Sequence, residues 1–278
     1  MRTILAVANE TIGGQSMIEA VMEKASGGDA RIVICVPRAQ PRHGNIIYDD
    51  AVYDAAQIRI DLARGFLRQQ GIDAVGDVGD PDPYTATMDA VAEFAPDEII
   101  ISTLPAQASG WLRRDLIERI EGATGLPVTH VVTDIDEEGL PFKVTLVVAN
   151  RTTRSDELID TLKGRAENEQ HLFVVIVPQE GGGGTAAQQA RGRLSQMRER
   201  ARHAGLLVAG MVGDPDPYTA VQNALQFFRI DDIVISTLPE TRSGWLRANL
   251  IERVRKSTNA PVEHVVVSAE GKTVGTEA

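Results

Sequence analysis

The chain has 278 residues, 43% of them hydrophobic and 4% aromatic, and carries a formal net charge of −11. This acidity argues against a nucleic-acid partner, because phosphates attract clusters of Lys and Arg, and the single cysteine, Cys35, excludes a disulfide within the chain. No apolar stretch reaches the roughly 18 residues that span a bilayer, and the first apolar run is too short for a signal peptide, so we expect a cytoplasmic protein without a membrane contact.

Short runs rich in Val and Ile alternate with helical patterns along each half of the chain. Strands that are buried on both faces of a sheet need such runs. Between the runs, apolar residues recur at helical spacing, as at Met17, Ile18 and Val21. The alternation predicts an α/β fold with right-handed crossovers and a doubly wound, mostly parallel sheet. The strands predicted in the first half are Ile4–Ala8, Arg31–Val36, Ala74–Val78, Glu98–Ser102 and Val128–Thr133.

Two kinds of helix start are visible in the sequence. The run Gly79–Pro83 (GDPDP) contains two aspartates, and either can cap the third helix. Its last proline takes the first helical position, where a missing N–H has no cost. The same run recurs at Gly213–Pro217. Ser109 and Ser243, each in the sequence SGWLR, are expected to cap the fourth helix of their halves.

The second half of the chain repeats the first. Val78–Val132 aligns with Val212–Val266 at an offset of 134 without a gap, and 33 of the 55 positions are identical. Ile4–Thr11 aligns with Thr145–Thr152 at an offset of 141, so the halves differ mainly by seven residues in one loop. A repeat of this length is a domain, since solenoid repeats run roughly 20 to 50 residues.

We therefore predict two tandem domains, residues 1–136 and 142–270, joined by the acidic segment Asp134–Pro141. Homologous domains on one chain can pair about a pseudo-twofold axis, as the subunits of a homodimer do. Pairing of the last strands, Val128–Thr133 and Val262–Val267, would cover one sheet edge in each domain. The charge is uneven, with 23 acidic and 11 basic residues in 1–142 against 16 and 17 in 143–278, and this is compatible with a further homodimer.

Three motifs occur in the same order in both halves: VGDPDPYTA before the third helix, D-x-I-[IV]-I-S in the fourth strand and PV-x-HVV in the last strand. In this order they resemble the universal stress protein family, and the chain is similar to a tandem two-domain member over nearly its whole length. The resemblance implies two Rossmann-like domains with strand order 3-2-1-4-5 and dimers that pair along the last strand. It also implies ATP bound at the strand ends, as in many members.

The resemblance and the fold predict one place for a ligand, the switch point between strands one and four, where open α/β sheets bind ligands. The SGWLR segment would bring a helix N-terminus to the switch point, and its arginine would donate two hydrogen bonds to a phosphate. The candidate site residues are Asn9, Val36, Ser102, Thr103, Ser109, Gly110 and Arg113 in the first half, and Asn150, Val177, Ser236, Thr237, Ser243, Gly244 and Arg247 in the second.

The sequence departs from the ATP-binding pattern of the family at two places. The aspartate after the first strand is replaced by Asn9 and Asn150, which can close a turn or contact a base. The glycine-rich stretch after the fourth strand is replaced by other residues, among them Pro105 and Pro239, and proline has no N–H to offer a phosphate. The serine and arginine of SGWLR are equally compatible with a plain helix cap and a surface ion pair.

Three functions are compatible with these patterns. A stress-related regulatory protein would bind ATP, ADP or AMP at the ends of strands one and four, with at most weak hydrolysis and no required cofactor. A ligand-free scaffold of the same fold would bind partners through its surface. An enzyme of the adenine-nucleotide α-hydrolase group would need a nucleophile or a base, and the chain has no GxxxxGK[ST], G-x-S-x-G, H-E-x-x-H or C-x-x-C motif. The histidines show no metal-ligand spacing, and His130 and His264 are expected at a pairing interface.

Overall fold

Strands and helices alternate along the chain in the predicted order. The computed structural model describes residues 1–41, 49–105, 109, 111, 115–181, 183–239 and 244–267. The first unit is Met1–Phe142. Its elements are β1 (Arg2–Val7), a 3-10 turn (Glu10–Gly13), α1 (Gln15–Ser26), β2 (Ala30–Pro37), α2 (Asp49–Gln69), β3 (Asp73–Gly79), α3 (Pro83–Phe94), β4 (Glu98–Thr103), α4 (Leu116–Thr124), β5 (Val128–Val132) and α5 (Ile135–Glu138).

The second unit, Lys143–Ala278, repeats this order. Its described elements are β6 (Lys143–Val148), α6 (Asp156–Asn168), β7 (His171–Pro178), α7 (Gly184–His203), β8 (Leu207–Gly213), α8 (Pro217–Phe227), β9 (Asp232–Thr237), α9 (Gly244–Arg247), α10 (Leu250–Ser257) and β10 (Val262–Val266).

Each unit is built on one five-stranded sheet. The strand orders are β3-β2-β1-β4-β5 and β8-β7-β6-β9-β10, and all the pairings are parallel. The predicted fold class, two tandem doubly wound domains with strand order 3-2-1-4-5, is therefore confirmed. In such a sheet β1 and β4 are neighbours, although the chain leaves them toward opposite edges.

The inner strands are buried on both faces, which explains their Val- and Ile-rich sequences. Along β2, Ile32 and Ile34 belong to one hydrophobic cluster, whereas Val33 and Cys35 belong to the cluster on the other face. The Cys35 thiol donates to the carbonyl of Ala86 at 3.6 Å. Burial raises the pKa of Cys35 to about 12, so the thiol stays protonated at neutral pH and is not a nucleophile.

The aspartate caps of the third helices are confirmed. Asp82 accepts a hydrogen bond from the backbone N–H of Thr85 at 3.0 Å, and Asp216 accepts one from Thr219 at the same distance. In each GDPDP run it is thus the second aspartate that caps the helix. The first aspartate accepts from the N–H of the second at 2.8 Å and closes the turn.

The serine cap expected at Ser109 stays a prediction, because residues 110 and 112–114 lie outside the described residues. The described helix α4 begins at Leu116 and is preceded by Asp115, whose φ is 49°. A left-handed residue interrupts a right-handed helix, and Asp and Asn tolerate this conformation better than most residues. In the second unit Asn249, with a φ of 52°, separates the four-residue α9 from α10. Ser243 lies outside the described residues.

The acidic segment that was predicted to be a linker folds onto the first unit. Asp134 caps α5 by accepting from two backbone N–H groups. Glu138 accepts from the N–H of Ser16 at 3.2 Å, at the start of α1, where the helix dipole favours a carboxylate. The ring of Phe142 packs against that of Phe66 with a centroid distance of 5.4 Å.

Gly210 in β8 provides a test of the packing between β7 and β8. A Cβ at Gly210 would lie 2.3 Å from the carbonyl oxygen of Val175 and 2.8 Å from a methyl group of Leu194. We expect Gly210→Ala to lower the free energy of unfolding by roughly 1–3 kcal/mol, because a backbone atom of the neighbouring strand cannot move aside. The measurement is urea unfolding followed by circular dichroism.

The matched control is Gly192→Ala in α7. A Cβ at Gly192 would meet no described atom within 4 Å, and alanine favours a helix by about 0.5–1 kcal/mol over glycine. This variant should therefore be as stable as the parent or slightly more stable. Equal stability of the parent and Gly210→Ala would contradict the described packing between β7 and β8.

Candidate functional site

A cleft lies at the carboxyl ends of β1 and β4, and an equivalent cleft lies at the carboxyl ends of β6 and β9. These are the topological switch points of the two sheets. The first cleft has a volume of about 200 Å³ and the second about 440 Å³. The described lining residues of the first cleft are Asn9, Glu10, Thr11, Ala39, Gln40, Ser102, Thr103, Leu104, Ser109 and Trp111. Those of the second are Asn150, Arg151, Thr152, Glu180, Gly181, Ser236, Thr237, Leu238, Gly244 and Trp245.

One asparagine in each cleft joins the ends of two neighbouring strands. Asn9 follows β1 and donates from Nδ2 to the carbonyl of Pro37, the last residue of β2, at 2.8 Å. Asn150 makes the same bond to the carbonyl of Pro178 at 2.8 Å. Both asparagines are buried. The amide group therefore joins two strand ends in both halves, and its oxygen and its second N–H remain for other contacts.

A threonine in each cleft makes a second bond across the switch point. Thr11 donates from Oγ1 to the carbonyl of Ser102 near the end of β4, at 3.2 Å. Thr152 donates to the carbonyl of Ser236 at the same distance. All four residues are buried. The loop after the first strand is thus bonded to the strand on either side, which fixes the floor of the cleft.

A third repeated contact links the cleft to the edge strand. Thr103 Oγ1 lies 2.9 Å from His130 Nε2, and Thr237 Oγ1 lies 2.8 Å from His264 Nε2. Partial burial lowers the pKa of His130 below its usual range. Burial, followed by the charge of Arg255, lowers the pKa of His264. Both imidazoles are therefore neutral at pH 7, and each orients a threonine hydroxyl that lines a cleft.

The two clefts differ around the asparagine oxygen. Asn9 Oδ1 is buried and has no hydrogen-bond partner among the described residues. Asn150 Oδ1 accepts from Nη1 of Arg193, which extends from α7. A buried acceptor without a partner costs about 1–3 kcal/mol, so the first cleft retains an acceptor that an N–H of a ligand would satisfy. In the second cleft that acceptor is already engaged.

Three charged side chains form a cluster at the second cleft: Arg151 and Glu180 line the cleft, and Arg193 contacts Asn150 and Glu180 from α7. Arg151 donates to both carboxylate oxygens of Glu180, at 2.5 and 3.2 Å. Arg193 donates to the same carboxylate at 3.2 Å. The hydrogen bond from Arg151, together with the charges of both arginines, lowers the pKa of Glu180. Two guanidinium groups around one carboxylate leave one net positive charge at this position.

The corresponding positions of the first cleft are different. The offset of 141 places Glu10 opposite Arg151 and Ala39 opposite Glu180. The offset of 134 places Arg59 opposite Arg193. Burial lowers the pKa of Arg59 to about 10, and the nearby carboxylate of Glu10 acts in the opposite direction. At these described positions the first half therefore has one carboxylate, Glu10, and one guanidinium, Arg59.

Most of the predicted site residues lie in the clefts. Val36 and Val177 do not: both are fully buried in the hydrophobic cores and line neither cleft as described. Gly110, Arg113, Ser243 and the side chain of Arg247 lie outside the described residues. The predicted residues that line the clefts are Asn9, Ser102, Thr103 and Ser109 in the first, and Asn150, Ser236, Thr237 and Gly244 in the second.

Thr11 and Thr152 lie in the segments that the sequence places beside the switch point, at matching positions in ILAVANET and TLVVANRT. Arg193, which contacts Asn150 beside the second cleft, was missed by sequence reasoning. Arg193 lies in a basic stretch of α7 that is typical of a solvent-exposed helix face. Its contact with Asn150 joins residues that are distant in sequence, so only the fold reveals it.

No group of three or more His, Cys, Asp or Glu among the described residues is arranged to hold a metal ion. The described helices are each too short or too polar to cross a membrane.

Comparison with known proteins identifies universal stress proteins among solved structures. One from Archaeoglobus fulgidus matches 96% of this chain and 97% of its own, at 16% identity and a TM-score of 0.36. A Pseudomonas aeruginosa protein assigned to the same family matches 96% of this chain and 94% of its own, at 15% identity and a TM-score of 0.33. No family model and no curated protein sequence matches the chain. At these identities and TM-scores the resemblance depends on the motifs and the strand order of the chain itself.

The lowered pKa values of His130 and His264 predict how stability depends on pH. The unfolded pKa of histidine is about 6.5, so below this pH the unfolded chain binds more protons than the folded chain. The free energy of unfolding therefore falls as the pH drops through 6.5 toward the lowered values. Thermal unfolding between pH 7.5 and 5.5 measures the effect.

The double variant His130→Gln, His264→Gln isolates the contribution of these two residues. Glutamine can still bond to the threonine hydroxyl but does not titrate. We expect the melting temperature of the variant to fall less over this pH range than that of the parent. The same fall in both proteins would show that the two histidines are not the source.

Proposed function

We propose that the chain is a regulatory protein of universal stress protein type that binds an adenine nucleotide at the switch point of its second unit. The observation that carries the proposal is the second cleft, whose volume of about 440 Å³ lies within the range of roughly 300–1,000 Å³ typical of small-molecule sites. The first cleft, at about 200 Å³, falls below that range. The proposal is therefore made for the second half of the chain.

The lining of the second cleft suits the parts of a nucleotide. Trp245 offers an aromatic ring against which a base can stack, and such stacking is worth about 1–3 kcal/mol. The hydroxyl of Thr237 is oriented by His264, and Thr237 forms part of the cleft lining. Arg151 and Arg193 supply the positive charge that a phosphate requires.

The residues of the second cleft favour nucleotide binding over nucleotide hydrolysis. Pro239 follows β9 where ATP-binding relatives are expected to have a glycine, so one backbone N–H of the triphosphate cradle is lost. The Thr237 hydroxyl does lie beside an imidazole, but Thr237 is only 2% exposed and cannot reach a phosphorus atom as a nucleophile. The proposed role is therefore that of a sensor, in which a bound nucleotide stabilises the second unit.

A ligand-free interaction scaffold is the second candidate. The observation that favours it is the repeated bond from Asn9 and Asn150 to a proline carbonyl, which accounts for both asparagines without a ligand. Mass spectrometry of the natively purified protein separates the two candidates. A retained nucleotide supports binding, whereas the absence of a ligand, together with no thermal shift upon addition of ATP, supports the scaffold.

Each cleft contains one of the two tryptophans of the chain, so fluorescence can report on each cleft separately. In the Trp111→Phe variant, which keeps Trp245, we expect ATP, ADP or AMP to quench the emission, because a stacked base quenches indole. Calorimetric titration of the parent with millimolar nucleotide should give a matching affinity. Absence of both heat and quenching with all three nucleotides would refute the proposal.

Substitution of Trp245 tests the stacking contact directly. Trp245→Leu should weaken nucleotide binding by roughly tenfold or more, since about 1–3 kcal/mol of stacking is removed. Trp245→Phe is the matched control, because phenylalanine keeps an aromatic face and should retain most of the affinity. Calorimetry measures both variants. Equal affinity of the leucine and phenylalanine variants would exclude stacking on this side chain.

A further inference from the structure

The charged cluster of the second cleft has the geometry of an occupied anion site. Arg151 contacts the two oxygens of Glu180 through two nitrogens, and this fork also fits two oxygens of a phosphate. Arg193 contacts the same carboxylate from α7. Glu180 thus lies where an anion would be held by two guanidinium groups that come from different elements.

Arg193 is fixed in place independently of Glu180. Its Nη1 donates to Asn150 Oδ1, and the amide of Asn150 is in turn held by the carbonyl of Pro178. Only about a quarter of the Arg193 side chain is exposed. The guanidinium is therefore oriented before a ligand arrives, and such preorganisation reduces the entropy that binding must overcome.

Glu180 is placed so that it can be displaced. It lies two residues after the end of β7, before a glycine-rich loop in which Gly181 and Gly183 have φ values of 87° and 104°. These values lie in a region that glycine enters freely and other residues rarely adopt. The carboxylate is about one third exposed and can turn into solvent without a change in the buried core.

We propose that Arg151 and Arg193 form the phosphate subsite of the second cleft and that the carboxylate of Glu180 competes with the ligand for it. The inference rests on the proposed function, since the phosphate is that of the bound nucleotide. Glu180 then acts as an internal competitor that sets the affinity for a phosphate without touching the base or the ribose. Its presence favours ligands whose negative charge exceeds that of a single carboxylate.

The first cleft has no equivalent subsite. Glu10 stands in the place of Arg151, and Ala39 stands in the place of Glu180. Arg59 is the single guanidinium at the corresponding positions. Phosphate recognition of this kind should therefore occur once in each chain.

Glu180→Gln tests the competition, because glutamine keeps the shape of the side chain and removes its charge. We expect Glu180→Gln to bind AMP roughly tenfold more tightly than the parent, while the affinity for adenosine stays unchanged; tenfold corresponds to about 1.4 kcal/mol. Calorimetry with AMP and adenosine measures the two affinities. Glu199→Gln is the matched control, since Glu199 is exposed on α7 and its loss changes the net charge equally.

Inorganic phosphate provides a second readout that does not depend on the base. Millimolar phosphate should raise the melting temperature of Glu180→Gln more than that of the parent or of Glu199→Gln, because a ligand that binds the folded state stabilises it. Arg151→Gln, combined with Glu180→Gln, should abolish the difference.

The outcomes separate the inference from the proposed function. An unchanged or weaker affinity of Glu180→Gln for AMP, with adenosine bound as before, overturns the competition and leaves nucleotide binding intact. Failure of both AMP and adenosine to bind any variant overturns the proposed function. In that case a larger phosphate-induced shift in Glu180→Gln still supports the subsite, and equal shifts in all variants overturn it.

Discussion

In each half of the chain, one buried amide bonds together two strand ends beside the switch point. Asn9 and Asn150 donate to the carbonyls of Pro37 and Pro178, both at 2.8 Å. An ionised aspartate has no N–H to donate and would set its charge against the carbonyl oxygen. The asparagine that departs from the ATP-binding pattern of the family therefore has a structural reason, and the rest of the cleft is built around it.

The two clefts share the hydrogen bonds that join their strand ends but differ in the residues around those bonds. The bonds of the asparagine, the first threonine and the threonine–histidine pair recur at nearly equal distances in both halves. The residues above them have changed: the first half has Glu10 and Ala39 where the second has Arg151 and Glu180. Duplication has thus kept the contacts that hold the strands and varied those that would meet a ligand. Equivalent folds do not imply equivalent sites.

Local signals in the sequence predict the fold well and the site only in part. Val- and Ile-rich runs identify the strands because burial on both faces demands them, and the GDPDP turns identify helix starts because the cap is local. The left-handed conformation of Asp115 was not predicted, because no residue pattern before it specifies a positive φ. The contact of Arg193 with Asn150 was not predicted, because α7 brings Arg193 there from a distant part of the chain. Periodicity gives the face of a helix, but the contact across the cleft depends on the tertiary fold.

The charge cluster of the second cleft links stability to binding. Two guanidinium groups around one point repel each other unless an anion lies between them, and the partial exposure of the cluster weakens this repulsion without removing it. Glu180 supplies that anion from within the chain, so the free protein avoids the repulsion. A phosphate that carries more negative charge than a carboxylate would reduce the repulsion between the two guanidinium groups further. In the proposed competition, the residue that stabilises the unliganded cleft would also limit its affinity for a phosphate, so the two effects could not be optimised independently.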